Sequence, residues 1–350
     1  MKKIIIVIIL LAAAIIGVIF LSRQLRPAPS PEIKNTPVVI GLSLGAVREE
    51  RWTRDRDLFI AKAKELGAVV NEVETDYDVD TQISQIENLI SQGVKVIVVV
   101  PADSVKIAPI IAEAHAAGVK IIAYERIIND SDLDFYVSFD NVKIGELEAK
   151  SVLDVASKGN FAYIGGAPTD NNAFLVKQGS MAVLKPAIDK GDIKLVLDEF
   201  TTNWDPSEAY KTMKKYLSTG KTVDAIVAAN DGTAFGVIQA LTEKGLAGKV
   251  PVSGQDAELA ACQRIVAGTQ TATVYKPLQS EATQAAEMAV AIARGELPAT
   301  NNVVNNGKID VPSYILGPAI IVNKDNMMDT VIKDNFHTYQ EIYGHAQSSQ

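Results

Sequence analysis

Residues 80–124 read DTQISQIENLISQGVKVIVVVPADSVKIAPIIAEAHAAGVKIIAY. Ile83, Ile86, Leu89 and Ile90 recur at helical spacing on one face of 80–92, Gly93 breaks the pattern, and 94–100 is an almost unbroken β-branched run. The cycle repeats at once. Ile107, Ile110, Ile111 and Ala114 share one face of a helix over 106–117, Gly118 closes it, and 119–124 is a second apolar strand. Asp80 is the expected N-cap of the first helix. Strands this apolar along their whole length need cover on both faces, which parallel strands joined by helical crossovers provide.

Working outward, strand-like runs stand at 38–44, 68–74, 161–164, 193–200, 223–229, 250–253 and 271–275, separated by amphipathic stretches. A chain of 350 residues with 47% hydrophobic content is too long for one core. The pattern predicts an α/β protein with two doubly wound parallel sheets.

Composition and charge remove several classes of function. Four of the 34 basic residues and no acid fall in the first thirty positions, so the rest of the chain sets 30 basic against 42 acidic residues, near -12. That body lacks the basic footprint that phosphate neutralisation demands, and no nucleic-acid partner is expected. The one cysteine, Cys262, forms no intrachain disulfide or thiolate cluster and is read as a small buried hydrophobe. His115, His337 and His345 share no ligand spacing, so no metal and no cofactor is expected.

Met1-Lys2-Lys3 followed by eighteen uncharged residues, 4–21, is read as an export signal, either cleaved or kept as an anchor. The Pro-rich stretch to residue 36 is read as a linker. The expected place of action is thus extracytoplasmic, periplasmic or tethered to the outer face of the cytoplasmic membrane.

In open parallel sheets the ligand lies beyond the carboxyl ends of the strands. Those ends carry Arg48-Glu49-Glu50-Arg51-Trp52, Tyr124-Glu125-Arg126, Thr169-Asp170-Asn171-Asn172, Asn203-Trp204-Asp205, Asn230-Asp231, Gln255-Asp256 and Tyr275-Lys276. Planar bidentate groups engage neighbouring hydroxyls and an aromatic ring covers an apolar C–H face, so the mixture suits a sugar. Singly, Asp and Asn after a strand are more often helix caps or turn formers than ligands, about two times in three.

At these residues the chain resembles the D-xylose-binding periplasmic proteins of bacterial ATP-binding-cassette importers, within the ribose- and galactose-binding-protein-like group. The resemblance runs from about 37 to 337 and is carried by Glu50-Arg51-Trp52 with Asp55-Arg56-Asp57, Arg126-Ile127-Ile128-Asn129-Asp130, Asp170-Asn171-Asn172-Ala173, Ser253-Gly254-Gln255-Asp256-Ala257 and Val274-Tyr275-Lys276-Pro277. It implies a periplasmic binding protein type I fold, two lobes joined by a three-strand hinge: 37–142 with 277–309, and 143–276 with 310–337, leaving 338–350 as an unstructured tail. It implies a non-catalytic monomer that closes on D-xylose or a close pentose and presents it to an ABC permease. The alternative is a sensor presenting ribose, arabinose, glucose or galactose to a membrane receptor. The sugar-binding set it implies is Arg51, Glu125, Arg126, Asp170, Asn172, Asn230, Asp256 and Lys276, with Trp204 stacking on the ring and Trp52 a weaker second face. Relatives usually carry Asp where Glu125 stands, so its extra methylene must rotate or push the sugar.

Four other readings are set aside. Gly41-Leu42-Ser43-Leu44-Gly45 matches a nucleophile elbow but lacks its acid and histidine in order. Asp76, Asp78, Asp80 and Glu87 echo a calcium loop without its glycine. Asp170 and Asp256 could be imagined as a glycosidase pair, and a sugar-responsive repressor would need a helix-turn-helix where the apolar N-terminus stands.

Overall fold

The computed structural model describes residues 37–344. The expected export segment and linker, and residues 345–350, lie outside it. Among the described residues no helix is long and apolar enough to cross a membrane.

The strands in chain order are β1 (Val38–Leu44), β2 (Ala68–Glu74), β3 (Val96–Val100), β4 (Lys120–Tyr124), β5 (Phe135–Ser138), β6 (Gly159–Gly165), β7 (Ile193–Phe200), β8 (Ala225–Ala228), β9 (Thr273–Tyr275), β10 (Asn302–Asn305), β11 (Asp310–Ile315) and β12 (Ile320–Val322). Seven form one sheet in the order β10-β11-β5-β4-β3-β1-β2, parallel except for the β10–β11 hairpin. A second, parallel sheet runs β7-β6-β8, and beside it β9 pairs antiparallel with β12. The run at 250–253 contributes a single bridge, Ile226 to Val252, rather than a strand.

The apolar runs are explained by cover on both faces. Along β3 every residue is buried, with Val96, Val98 and Val100 facing the core under helices Glu50–Glu65 and Leu278–Ala293, while Ile97 and Val99 face the core under Val79–Ser91 and Pro109–Ala116. Each such side chain contributes about 1.5–3 kcal/mol relative to exposure. Gly93 and Gly118, at φ 77° and 74°, supply the left-handed residues after those last two helices. The N-cap of Val79–Ser91 is Asp78, not Asp80: its carboxylate accepts from the Thr81 N–H at 3.1 Å. Asp76 meanwhile pairs with Arg48 at 2.9 Å, which takes two members of the apparent calcium loop. Ser43 of the apparent elbow is buried inside β1 and accepts from Gln82 Nε2.

Three segments cross between the sheets: β5 into helix Asn141–Leu153, β9 into helix Leu278–Ala293, and β11 into β12. The last crossing differs from the expected boundary at 309/310. Asp310–Ile315 stays in the first sheet, pairing Ser313 with Tyr136 and Ile315 with Ser138, so the chain leaves that lobe only after Ile315. The expected tail instead contains a helix, Tyr339–Tyr343. Thr338 and Glu341 form a capping box for helix Tyr339–Tyr343, and Ile342 packs into a core with Cys262, Ile265, Tyr275 and Val331.

Candidate functional site

Parallel strands end on one side of each sheet, and the two sets of ends face each other across the lobes. A small, largely filled polar cavity lies there. Arg51, Trp52, Glu125, Arg126, Asp170, Asn172, Trp204, Asn230, Asp256 and Lys276, all ten residues singled out from the sequence, line it. Glu49 and Gln255 complete the lining.

Glu125 is the hub. Arg51 Nη1 donates to its Oε1 at 2.9 Å, Lys276 Nζ to the same oxygen at 3.1 Å, and Asn172 Nδ2 to Oε2 at 3.0 Å. Burial opposes its charge, but Arg51, Lys276 and Arg126 prevail and hold its pKa at about 2. The carboxylate lies against the cations of the cavity wall. Glu125 sits at φ 62° and Asp256 at φ 91°, left-handed backbone that non-glycine residues adopt only under tertiary restraint.

Asp256 joins the same network, with Lys276 Nζ at 2.9 Å and Arg51 Nη1 at 3.5 Å from its Oδ1. Arg51 is fixed from behind by Asp55 and Glu281, each at 2.9 Å. Burial lifts the pKa of both acids, with Arg51 opposing it. Neither acid lies at a strand end, and neither stood among the expected site residues. The i,i+4 spacing of Arg51 and Asp55 was the available signal for the first; nothing local marks Glu281.

Arg126 differs from Arg51. Its Nε lies 2.8 Å from Asp170 Oδ2, close enough for an ion pair but not aligned for N–H donation, and Nε and Nη1 are both buried without a hydrogen-bond partner. Gln255 Oε1 is likewise buried and unpartnered. Arg126 Nη2 donates to Tyr77 Oη at 3.2 Å, and Tyr77 in turn donates to Glu49. The cavity thus presents strong donors and an acceptor whose bonding capacity is unspent, where buried polar groups are normally satisfied.

The two indoles play different parts. Trp204 comes from the turn Thr202–Trp204 after β7, with its Nε1 donating to Asp170 Oδ2 at 3.1 Å. Its ring edge lies so close to Gly166 that a Cβ there would drive into the indole. Trp52 was expected to offer a second stacking face. It lines the cavity, and the guanidinium carbons of Arg51 and Arg126 lie 4.5 and 4.9 Å from its ring centroid while its Nε1 donates to Glu49 at 2.8 Å. The ring thus also helps to orient the two arginines. Asp170 caps helix Asn171–Asp189 by accepting from the Asn172 N–H, and Asn230 caps Asp231–Glu243 by accepting from Thr233, so these two are caps as well as lining residues.

Comparison with known proteins agrees with this architecture. The chain is 49% identical over 306 residues to the D-xylose-binding periplasmic protein of Escherichia coli strain K12, covering 87% of this chain and 92% of that one. It is 50% identical over 305 residues to the protein of the same name from Haemophilus influenzae, with the same coverage. Among solved structures, a carbohydrate transporter solute binding protein from Chloroflexus aurantiacus in complex with D-glucose superposes with a TM-score of 0.81 at 32% identity, over 87% of this chain and 98% of that one. The family model described as periplasmic binding protein domain matches residues 40–297. With that match across most of two lobes that meet over one polar cavity, the chain belongs to the periplasmic binding protein family.

Proposed function

We propose that the chain is an extracytoplasmic solute-binding protein that captures D-xylose, or a close pentose, between its lobes and hands it to an ABC permease. The observation that carries this reading is the pairing of Trp204 with the unpartnered donors of Arg126 in one small interlobe cavity. A pyranose offers an apolar C–H face to the indole and vicinal hydroxyls to a guanidinium fork. Asn172, Asn230, Asp256 and Lys276 supply further donors and acceptors, and Glu125 keeps both Arg51 and Lys276 in place. Two relatives near half identity carry D-xylose in their names, which favours that sugar over the hexoses. The periplasmic relatives support export, and residues 4–21 supply the signal or anchor for it.

The role is binding without chemistry. A glycosidase acid needs a proton to give, yet Glu125 at the centre of the cavity is held ionised by Arg51, Lys276 and Arg126. The protein acts as a monomer, presenting both lobes to the permease on closure.

Calorimetric titration of residues 31–350 with xylose, arabinose, ribose, glucose and galactose, with EDTA present, tests this. Tight binding of xylose above the others is the expected result. Preference for another sugar would move the specificity and point to Glu125, and binding of none would refute the assignment.

A further inference from the structure

Arg48 stands in the loop after β1 and does not line the cavity, yet it touches both lobes. On its own side, Nη2 donates to Asp76 Oδ2 at 2.9 Å, and the guanidinium carbon lies 5.4 Å from the Tyr77 ring centroid. Across the cleft, Nη1 donates to the Asn203 carbonyl at 3.2 Å and lies 3.5 Å from Asp205 Oδ2. Those two residues flank Trp204. Asn203 and Trp204 are both left-handed, at φ 51° and 52°, a consecutive pair that L residues resist unless held. Within the second lobe the turn is closed by the Asp205 N–H on the Thr202 carbonyl, and Asp205 also accepts from the Ser207 N–H as a helix cap. The grip from the first lobe exists only while the lobes are together.

We propose that Arg48 is a positioning residue for Trp204: a strap across the cleft that fixes the indole-bearing turn when the lobes close. The inference rests on the sugar-binding reading above, because it is the sugar that the indole meets. Arg48 is a third exposed, so its ion pairs alone contribute little; its effect comes from restraining a strained turn. Restraint present only in the closed state slows ligand escape more than it speeds entry.

The test compares Arg48→Met, Arg48→Lys and Lys190→Ala, each alone and with Trp204→Phe. Sugar affinity is read by calorimetry, dissociation by stopped-flow tryptophan fluorescence, and backbone hydrogen exchange at saturating sugar. Arg48→Met should raise Kd about tenfold, almost all of it in dissociation, with Arg48→Lys between it and wild type because an ammonium serves Asp76 but cannot bridge both lobes. In the Trp204→Phe background the same change should cost less than about threefold, since coupled residues are not additive. Exchange should accelerate at residues 203–206 and stay unchanged at 170–173. Equal cost in both backgrounds, or faster exchange spread over the whole lobe, would overturn the positioning role while leaving the sugar site intact. Failure of the wild type to bind any sugar would remove the function and this inference together.

Discussion

Replacing Glu125 by Gln keeps the shape of the side chain and removes its charge. The folded pKa near 2 against an ordinary 4.5 corresponds to about 3 kcal/mol of favourable interaction with the ionised form, at about 1.4 kcal/mol per unit. The group is almost fully buried, so solvent screening does not erode that figure. Because the folded pKa is depressed, the contribution is complete above about pH 4.5 and is lost as pH falls toward 2. Linkage then gives a wild-type advantage of about 3 kcal/mol at pH 7, of which about half remains at pH 3. At about 2.1 cal/mol/K per residue, the roughly 310 ordered residues have an unfolding entropy near 0.65 kcal/mol/K, so the midpoint should drop about 5 °C at pH 7 and about 2 °C at pH 3. Scanning calorimetry of ligand-free wild type and Glu125→Gln at both pH values reads this directly. A gap that does not narrow with acid, or one under about 1 kcal/mol at pH 7, would refute the view that Glu125 is the charged keystone of Arg51 and Lys276.

Three further outcomes follow from the same geometry. Asp256→Ala removes one of the two carboxylates that hold Lys276 and should weaken xylose binding about ten- to a hundred-fold by calorimetry, for a loss of about 1.5–3 kcal/mol; unchanged affinity would remove Asp256 from the site. Trp204→Ala should weaken binding about tenfold or more while the surface change Lys190→Ala does not, and equal effects would argue against stacking. Glu148 is buried with both oxygens unpartnered, and burial raises its pKa well above the carboxylate range. An acid raised in the folded state loses stability as pH climbs above its unfolded value, so Glu148→Gln should stabilise the protein in urea, more at pH 8 than at pH 5; destabilisation at pH 8 would show an ionised, partnered carboxylate instead.

The runs legible in the sequence were those buried on both faces, such as β3, where every residue faces one core or the other. The strands that escaped are edge or short elements: β10 is mostly exposed, β11 carries Pro312, and β5 and β12 have four and three residues. None has enough apolar length to stand out from loop. The neighbourhood of the cavity was readable for a geometric reason, since parallel strands send their ends to the same cleft, whereas the choice of ten lining residues among those ends came from the family resemblance. Partnership was not readable. Glu281 reaches Arg51 from a helix 230 positions away, and no local pattern encodes that.

Glu125 shows most clearly why. A side chain one methylene longer than its relatives' suggested intrusion on the ligand, on the tacit assumption of an ordinary backbone. The backbone is left-handed there, and it is pinned on every side: its N–H donates to the Val137 carbonyl at 2.8 Å, while its own carbonyl accepts from Tyr136 Oη, Ser138 Oγ and Asn172 Nδ2 at 3.0, 2.8 and 3.1 Å. Three of these four bonds come from β5, the short strand the sequence hid, and the fourth comes from the opposite lobe. The direction of the carboxylate is therefore set by the first sheet and by the meeting of the lobes together. Asn172 of the second lobe bonds both the carbonyl and the carboxylate of Glu125, so the hub ties the two lobes together as well as the two cations.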